Sequence, residues 1–224
     1  MIKLNRKTEP LTSTVVVDDF IKASEKAFDC TFDGTSRFYP WELPNITKEF
    51  NIGVIFGSSG SGKSTLLKEF GEELVPIWDN SKGIISHFDT PDDAINKLGA
   101  VGLNTIPSWY RPYNVLSNGE KFRADLSRKL YDGAVIDEFT SVVDRNVAKS
   151  SSVAISKYIK KNNLKNIVIS TCHEDIIDWL QPDWVIDTNL GEFHEDFFQL
   201  GQISISKYIV QSMISGPCLV SITI

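Results

Sequence analysis

Residues 52–65 read IGVIFGSSGSGKST, an apolar run followed by a loop of glycines and serines. The pattern G-x-x-x-x-G-K-[ST] between a strand and a helix is typical of a phosphate-binding loop, because its glycines let backbone N–H groups turn toward phosphate oxygens. The helix that follows adds the positive end of its dipole. We expect Lys63 to contact the β- and γ-phosphates of a nucleotide and the Ser64 hydroxyl to bind Mg²⁺. The predicted nucleotide-binding residues are Gly57, Ser58, Ser59, Gly60, Ser61, Gly62, Lys63, Ser64 and Thr65.

A second apolar run, residues 134–136, ends in the two carboxylates Asp137 and Glu138. The carboxyl ends of parallel strands are where α/β sheets bind their ligands. We therefore expect Asp137 to hold Mg²⁺ through water. We expect Glu138 to polarise the water that attacks the γ-phosphate.

Short apolar runs alternate with helical patterns between residues 51 and 200. Such strands separated by helices predict an α/β fold whose mostly parallel sheet carries helices on both faces. The predicted strands are 52–56, 84–88, 134–137, 167–170 and 184–187, and the predicted helices are 64–74, 119–131 and 146–161. A further helix is predicted to start after Thr90, a cap followed by proline and two acids. In residues 1–50 we expect a small antiparallel β portion, with strands at 2–4 and 14–17, and a helix capped by Asp18.

The composition is that of an ordinary globular protein, with 42% hydrophobic and 23% charged residues in a chain of 224. The net charge of −6 argues against electrostatic binding of nucleic acid by the chain as a whole. Cys30, Cys172 and Cys218 are widely spaced, which fits a reducing compartment and neither a disulfide framework nor a zinc site. We see no signal peptide in MIKLNRKTEP and no uninterrupted apolar span of membrane length, so a cytoplasmic location is expected.

Residues 116–120, Leu-Ser-Asn-Gly-Glu, precede a basic amphipathic helix. Ser117 is placed to cap that helix, whose N-terminus then presents free N–H groups to an anion. Together with the carboxylates at 137 and 138, this motif resembles the signature of ABC-type ATPases, usually written LSGGQ. Ser117 and Gly119 match the positions that meet the γ-phosphate, whereas Asn118 and Glu120 depart from the family's form. The resemblance implies that these four residues act across a dimer interface.

Two further matches follow in the order that the family shows. Ser141-Val-Val-Asp144 lies where ABC ATPases carry the D-loop that runs across the dimer contact. His173 follows the predicted strand 167–170, where the resemblance implies a switch histidine that touches the γ-phosphate.

Two features of the family are missing or open. No glutamine occurs between Lys63 and Gln181, so the Q-loop glutamine is absent. His87, Asp89 or another residue after the predicted strand 84–88 is the expected substitute. An aromatic residue of the stretch Phe38-Tyr-Pro-Trp41 is expected either to stack on adenine or to belong to the hydrophobic core.

Longer phrases resemble one soluble group of ABC-type ATPases found in phages and prokaryotes. The phrases are SWYRPYNVLSNGEKFRADL, VIDEFTSVVDR and CHEDIIDWLQPDWVIDT, and the resemblance covers roughly residues 35–195. Many members of this group precede a predicted GNAT-type acetyltransferase domain, which we do not expect within these 224 residues. We therefore assign no acetylation to this chain, and a separate acetyltransferase or another protein is a candidate partner.

The combined expectation is a P-loop NTPase of the ABC ATPase head type. Residues 1–200 are expected to form one domain, with an N-terminal portion at 1–50, a core at 51–200 and a tail at 201–224. Within the tail, residues 203–224 suit an edge strand, a partner-binding segment or a poorly ordered end. We expect a soluble ATPase that hydrolyses ATP with Mg²⁺ in an ATP-dependent homodimer. The alternatives are the nucleotide-binding subunit of a transporter, a DNA-maintenance ATPase head and a P-loop kinase.

Overall fold

A six-stranded sheet forms the centre of residues 1–196, the part of the chain that this computed structural model describes. In sheet order the strands are β1 (Ile2–Lys3), β8 (Glu192–Glu195), β7 (Trp184–Asp187), β4 (Ile52–Phe56), β6 (Ile167–Thr171) and β5 (Val135–Ile136). The four strands from β7 to β5 are parallel, whereas β8 and β1 are added antiparallel at one edge. A separate antiparallel pair consists of β2 (Leu11–Thr14) and β3 (Thr35–Phe38). The predicted tail of 201–224 lies outside the described residues.

Helices cover both faces of the parallel strands. The helices of the described residues are α1 (Asp19–Phe28), which has no buried residue, α2 (Lys63–Leu67), α3 (Pro91–Ala100), α4 (Ile106–Trp109), α5 (Asn118–Arg128), α6 (Arg145–Lys161) and α7 (Asp175–Leu180), with 3₁₀ turns at Ile84–His87 and Tyr113–Val115. On one face, Ile169 of β6 is buried with Ile155 of α6; on the other, Ile55 of β4 is buried with Leu66 of α2. Because the strands are covered on both faces, they read as continuous apolar runs. The predicted α/β fold with a mostly parallel sheet is confirmed.

Most of the predicted core elements are present. The strands predicted at 52–56 and 184–187 are confirmed, the strand at 167–170 extends one residue further, and the strand at 134–137 is limited to β5. The helices after Thr90 and Asp144 begin at those caps, whose side-chain oxygens accept backbone N–H groups of the first turn. No helix among residues 1–196 combines the length and the apolar composition that a membrane crossing needs.

The strand predicted at 84–88 is wrong. Residues Ile84–His87 form a 3₁₀ turn, and the N–H of Ile84 donates to the carbonyl of Arg111 (3.0 Å) rather than to a neighbouring strand. Ile84 is fully buried. A short apolar run is equally compatible with a buried strand and a buried helical turn, so its pattern alone does not separate the two.

The helix predicted at 64–74 is too long. It ends at Leu67, and three successive tight turns lead to Gly71, whose φ of +145° is incompatible with a helix. Residues 71–79 then run without helix or strand, and we call them the strap.

The N-terminal strand lies earlier than predicted, because β2 covers Leu11–Thr14 rather than 14–17. The helix capped by Asp18 is present, and the Asp18 carboxylate accepts the N–H of Ile21 (3.0 Å). None of the residues of α1 is buried, and Phe20 is 86% exposed. The apolar spacing that predicted this helix therefore does not face the core.

Candidate active site

The glycine-rich loop lies between the carboxyl end of β4 and the start of α2, as predicted. Gly62 has a φ of +98°, and a Cβ there would lie 2.6 Å from the ring of Phe38. A Cβ on Gly57 would lie 2.1 Å from the hydroxyl of Thr188. Glycine is favoured at both positions, because φ is +98° at Gly62 and +157° at Gly57 and any side chain there would also displace its neighbour.

The turn between β7 and β8 holds the loop from the side. Asn189 Oδ1 accepts both the N–H (2.9 Å) and the hydroxyl (2.8 Å) of Ser58. The hydroxyls of Ser61 and Thr188 are 2.6 Å apart. Sequence reasoning missed Thr188 and Asn189. The signal was their place directly after β7, because the carboxyl ends of parallel strands meet at one edge of the sheet.

A cavity of about 310 Å³ opens over the loop. Its lining residues are Phe38, Ser59, Gly60, Gly62, Lys63, Ser64, Thr65 and Glu138. Lys63 is only 8% exposed, and its Nζ donates to the carbonyl of Ser58 (2.8 Å), so the ammonium stays folded over the loop. The structure thus brings Glu138 and the glycine-rich loop to one space.

The two carboxylates at the end of β5 are held by β6. Asp137 Oδ1 accepts the hydroxyl of Ser170 and the N–H of Glu138 (2.9 Å). The N–H of Asp137 donates to Glu73 Oε1 (3.1 Å). Glu138 is exposed and has a φ of +46°, a left-handed conformation that is uncommon for a non-glycine residue and occurs at functional sites.

A second cavity, of about 520 Å³, lies between α5, the end of β5 and the segment before α6. Asn118, Asp137, Glu138 and Ser141 are among its lining residues, together with Glu73. Glu138 therefore borders both cavities. Neither cavity is lined by Ser117, Gly119 or His173.

Residues 117–120 form a capping box at the start of α5. The Ser117 hydroxyl accepts the N–H of Glu120, and the Glu120 carboxylate accepts the N–H of Ser117 (2.9 Å). Glu120 also accepts the hydroxyl of Ser108 (2.5 Å). The hydrogen bonds from Ser108 and then Ser117 lower the pKa of Glu120 to about 2. Glu120 is thus a fully ionised structural residue near neutral pH, which explains why an acid can stand at this position.

Comparisons with known proteins show which proteins this chain is similar to. No protein-family model matches the chain. A curated relative is the energy-coupling factor transporter ATP-binding protein EcfA1 of Caldanaerobacter subterraneus subsp. tengcongensis, 24% identical over an alignment of 208 residues that covers 71% of this chain and 75% of that protein. The dimeric structure of a bacterial ABC transporter cassette matches 87% of this chain and 98% of its own, with a TM-score of 0.51 and 16% identity. The fold is that of an ABC ATPase cassette. The same cassette in a dimeric post-hydrolysis state, bound to ADP and Pi, matches over the same shares with the same TM-score and identity.

The predicted D-loop residue of the cassette fold has a structural role of its own. Asp144 caps α6, and its Oδ1 accepts the N–H groups of Asn146 (2.9 Å) and Val147 (3.1 Å). Before it, Val142 is 71% exposed. The segment predicted to be the D-loop therefore presents an apolar side chain to solvent.

His173 lies just beyond β6, at the same edge of the sheet as Asp137. It is half-buried, and its backbone N–H donates to the hydroxyl of Thr171 (3.1 Å). Its place at the carboxyl end of β6 agrees with the order of motifs in the sequence. The contact with a γ-phosphate stays a prediction.

The structure shows the contacts of His87 and of the aromatic stretch at 38–41, whose roles the sequence left open. His87 Nε2 accepts the N–H of Asp79 (2.8 Å), and His87 Nδ1 lies 3.2 Å from the carbonyl of Gly83. Both ring nitrogens thus have partners in the local turn, and the substitute for the Q-loop glutamine stays a prediction. Of the aromatic stretch, Phe38 lines the cavity over the loop. Trp41 instead donates to the carbonyl of Thr188 (3.0 Å) and packs beneath the guanidinium of Arg6.

The residues predicted to bind Mg²⁺ are oxygen donors at neighbouring places. Ser64 lines the cavity over the loop, Asp137 lines the second cavity, and Glu138 borders both. Residues 1–196 contain no cluster of three or more His, Cys, Asp or Glu side chains suited to a metal ion. The oxygen atoms of Ser64 and Asp137 nevertheless fit Mg²⁺, because proteins usually hold this ion through one or two carboxylates and the phosphates of a bound nucleotide.

Proposed function

We propose that this chain is an ABC-type ATPase that binds ATP with Mg²⁺ and hydrolyses it at composite sites shared by two copies. The observation that carries the proposal is the cavity that Lys63, Ser64 and Glu138 line together. A phosphate-binding loop and a candidate base from distant parts of the chain face one space there. The likeness to a cassette bound to ADP and Pi supports the same reading.

Each residue of the cavity has a chemical task in this proposal. The N–H groups of the loop and the start of α2 bind phosphate oxygens, and Lys63 neutralises their charge when it leaves the carbonyl of Ser58. Glu138, exposed at the cavity wall, accepts a proton from the attacking water. Mg²⁺ held by Ser64 and Asp137 would neutralise charge on the β- and γ-phosphates. Phe38 offers a ring face to the adenine base.

We further propose that the ATPase acts as a soluble module, with residues 1–200 as one domain. The missing Q-loop glutamine supports this role, because the resemblance links that residue to the membrane partner in transporters. The curated relative is an ATP-binding protein of a transporter, and this observation favours a second candidate, the nucleotide-binding subunit of a transporter. Fractionation of cells that express the full chain separates the two roles, because a soluble module is expected in the soluble fraction and a transporter subunit with the membranes.

The test of the proposed reaction uses two substitutions with opposite expectations. Lys63→Ala removes the charge that pairs with the phosphates, and we expect it to abolish ATP binding in a calorimetric titration. Glu138→Gln keeps the shape of the side chain but removes the base. We expect it to bind ATP normally and to lower turnover by about a hundredfold or more.

Glu69→Gln serves as the control, since Glu69 pairs with Lys7 (2.7 Å) on the surface and borders neither cavity. Turnover should also stop in EDTA and return with Mg²⁺. Unchanged turnover in Glu138→Gln would refute the assignment of the base. Robust turnover in EDTA would refute the metal requirement.

A further inference from the structure

Glu73 of the strap joins two parts of the site that no sequence motif connects. Its Oε1 accepts the Nζ of Lys129 (2.6 Å), at the C-terminal end of α5, and the backbone N–H of Asp137 (3.1 Å), at the end of β5. The side chains of Glu73 and Lys129 are 29% and 15% exposed. One carboxylate oxygen of Glu73 therefore links the end of α5 to the backbone N–H of Asp137, the residue that is predicted to hold Mg²⁺.

The rest of the strap follows the same helix. Trp78 Nε1 donates to Asp125 (2.8 Å), and the guanidinium of Arg128 donates to the carbonyl of Ile77 (2.7 Å). Together with Lys129, these contacts bind the last turns of α5 to the segment that leaves α2. The strap follows the phosphate-binding loop and α2 along the chain and is hydrogen-bonded to the end of α5. It therefore connects the loop to the helix that begins at the predicted signature of the same copy.

The charges around Glu73 explain why a carboxylate is needed there. Lys129 lines the second cavity together with Asp137 and Glu138. Without Glu73, the largely buried ammonium of Lys129 would lack its partner and would attract those two carboxylates instead. Glu73 both neutralises Lys129 and orients the backbone that carries Asp137. Hydrogen bonds behind a metal-binding residue commonly fix the orientation of that residue.

We propose that Glu73 is a positioning residue for the reaction. This proposal rests on the proposed ATPase function. Glu73 keeps the carboxylates at the end of β5 available for the reaction and fixes the end of α5 relative to them. Its effect is on turnover, because Glu73 does not line the cavity over the phosphate-binding loop.

Three variants of the full chain separate the two tasks of Glu73. Glu73→Ala removes both contacts, and we expect turnover to fall about tenfold while the dissociation constant of ATP stays within about twofold. Glu73→Gln can still accept the N–H of Asp137 and should lose less turnover. The double variant Glu73→Ala/Lys129→Met should recover part of the lost turnover, since it removes the unpaired cation.

Glu69→Ala is the matched control, because Glu69 also pairs with a lysine but lies away from β5. Amide hydrogen exchange at Asp137 gives a readout that needs no ATP: it should become faster in Glu73→Ala and stay unchanged in Glu73→Gln and Glu69→Ala. Unchanged amide exchange at Asp137 in Glu73→Ala would refute the hydrogen bond from the N–H of Asp137 to Glu73.

The effect of Glu73 on turnover is tested separately from its hydrogen bond to Asp137. If Glu73→Ala turns over as fast as Glu69→Ala, or loses ATP affinity in proportion to turnover, Glu73 has no positioning role in the reaction. A further loss in the double variant would refute the charge argument. A wild-type chain that binds ATP but does not hydrolyse it would instead refute the proposed function itself.

Discussion

Gly119 and Gly99 are two helical glycines with open space where a side-chain carbon would lie. Gly119 is in the first turn of α5 and belongs to the predicted signature, whereas Gly99 is near the end of α3. Packing within one copy requires glycine at neither position. The difference between them is the predicted approach of a partner's nucleotide to Gly119.

Alanine at each position turns this difference into a prediction. Alanine favours a helix over glycine by up to about 1 kcal/mol, so both variants should unfold at the wild-type temperature or higher. Gly119→Ala should nevertheless lower ATP turnover, because the added methyl group would occupy the face that is predicted to meet the γ-phosphate, and Gly99→Ala should not. Melting temperatures and steady-state turnover measure the two effects. Equal turnover in both variants would argue against a role for Gly119 at the nucleotide.

At the scale of elements, the turn between β7 and β8 shapes the phosphate-binding loop. Asn189 holds Ser58 through two hydrogen bonds, and Thr188 meets Ser61. The sheet brings this turn to the loop because β7 pairs directly with β4. A loop that is already curled before ATP arrives loses less conformational entropy on binding.

Asn189→Ala should therefore weaken ATP binding about tenfold, since each lost hydrogen bond contributes roughly 0.5–1.5 kcal/mol. The melting temperature should change little, because Asn189 is exposed. Asn104→Ala, at an exposed asparagine outside both cavities, is the control. Calorimetric titration gives the two dissociation constants, and equal values would show that the turn does not prepare the loop.

At the scale of the whole molecule, the start of α5 lies outside the cavity that the phosphate-binding loop and Glu138 form in one copy. Ser117 is exposed and borders neither cavity, although it begins the helix whose N-terminus suits an anion. A second copy arranged head to tail would bring that N-terminus to the phosphates bound by Lys63. ATP binding would then close the dimer, and hydrolysis would loosen it.

Mixing two inactive variants tests this arrangement. Lys63→Ala breaks the loop of one copy, and Ser117→Arg breaks the signature of the other. In a mixed dimer one composite site is intact and the other is doubly damaged, so part of the turnover should return. ATP should also shift Glu138→Gln to the dimer in sedimentation experiments, and ADP should not. Mixed dimers that form but stay inactive would refute shared sites.

The sequence by itself determined the local parts of this protein. The loop at 57–65, the strand 52–56 before it and the carboxylates Asp137 and Glu138 were all predicted, because each depends on glycine geometry or on apolar runs within a few residues. The capping box of Ser117 and Glu120 is equally local. Such patterns are readable because neighbouring residues alone create them.

Only the tertiary structure decided which distant side chains complete the site. Glu73 reaches Asp137 because the strap, predicted to begin as a helix, has neither helix nor strand and is hydrogen-bonded to the end of α5. Asn189 reaches Ser58 because β7 pairs with β4. The run at 84–88 forms a 3₁₀ turn, and the N–H of Ile84 donates to the carbonyl of Arg111 in a loop rather than to a strand. Hydrogen-bond partners far apart in the chain leave no periodic pattern in it, since the order of strands and the path between them create those contacts.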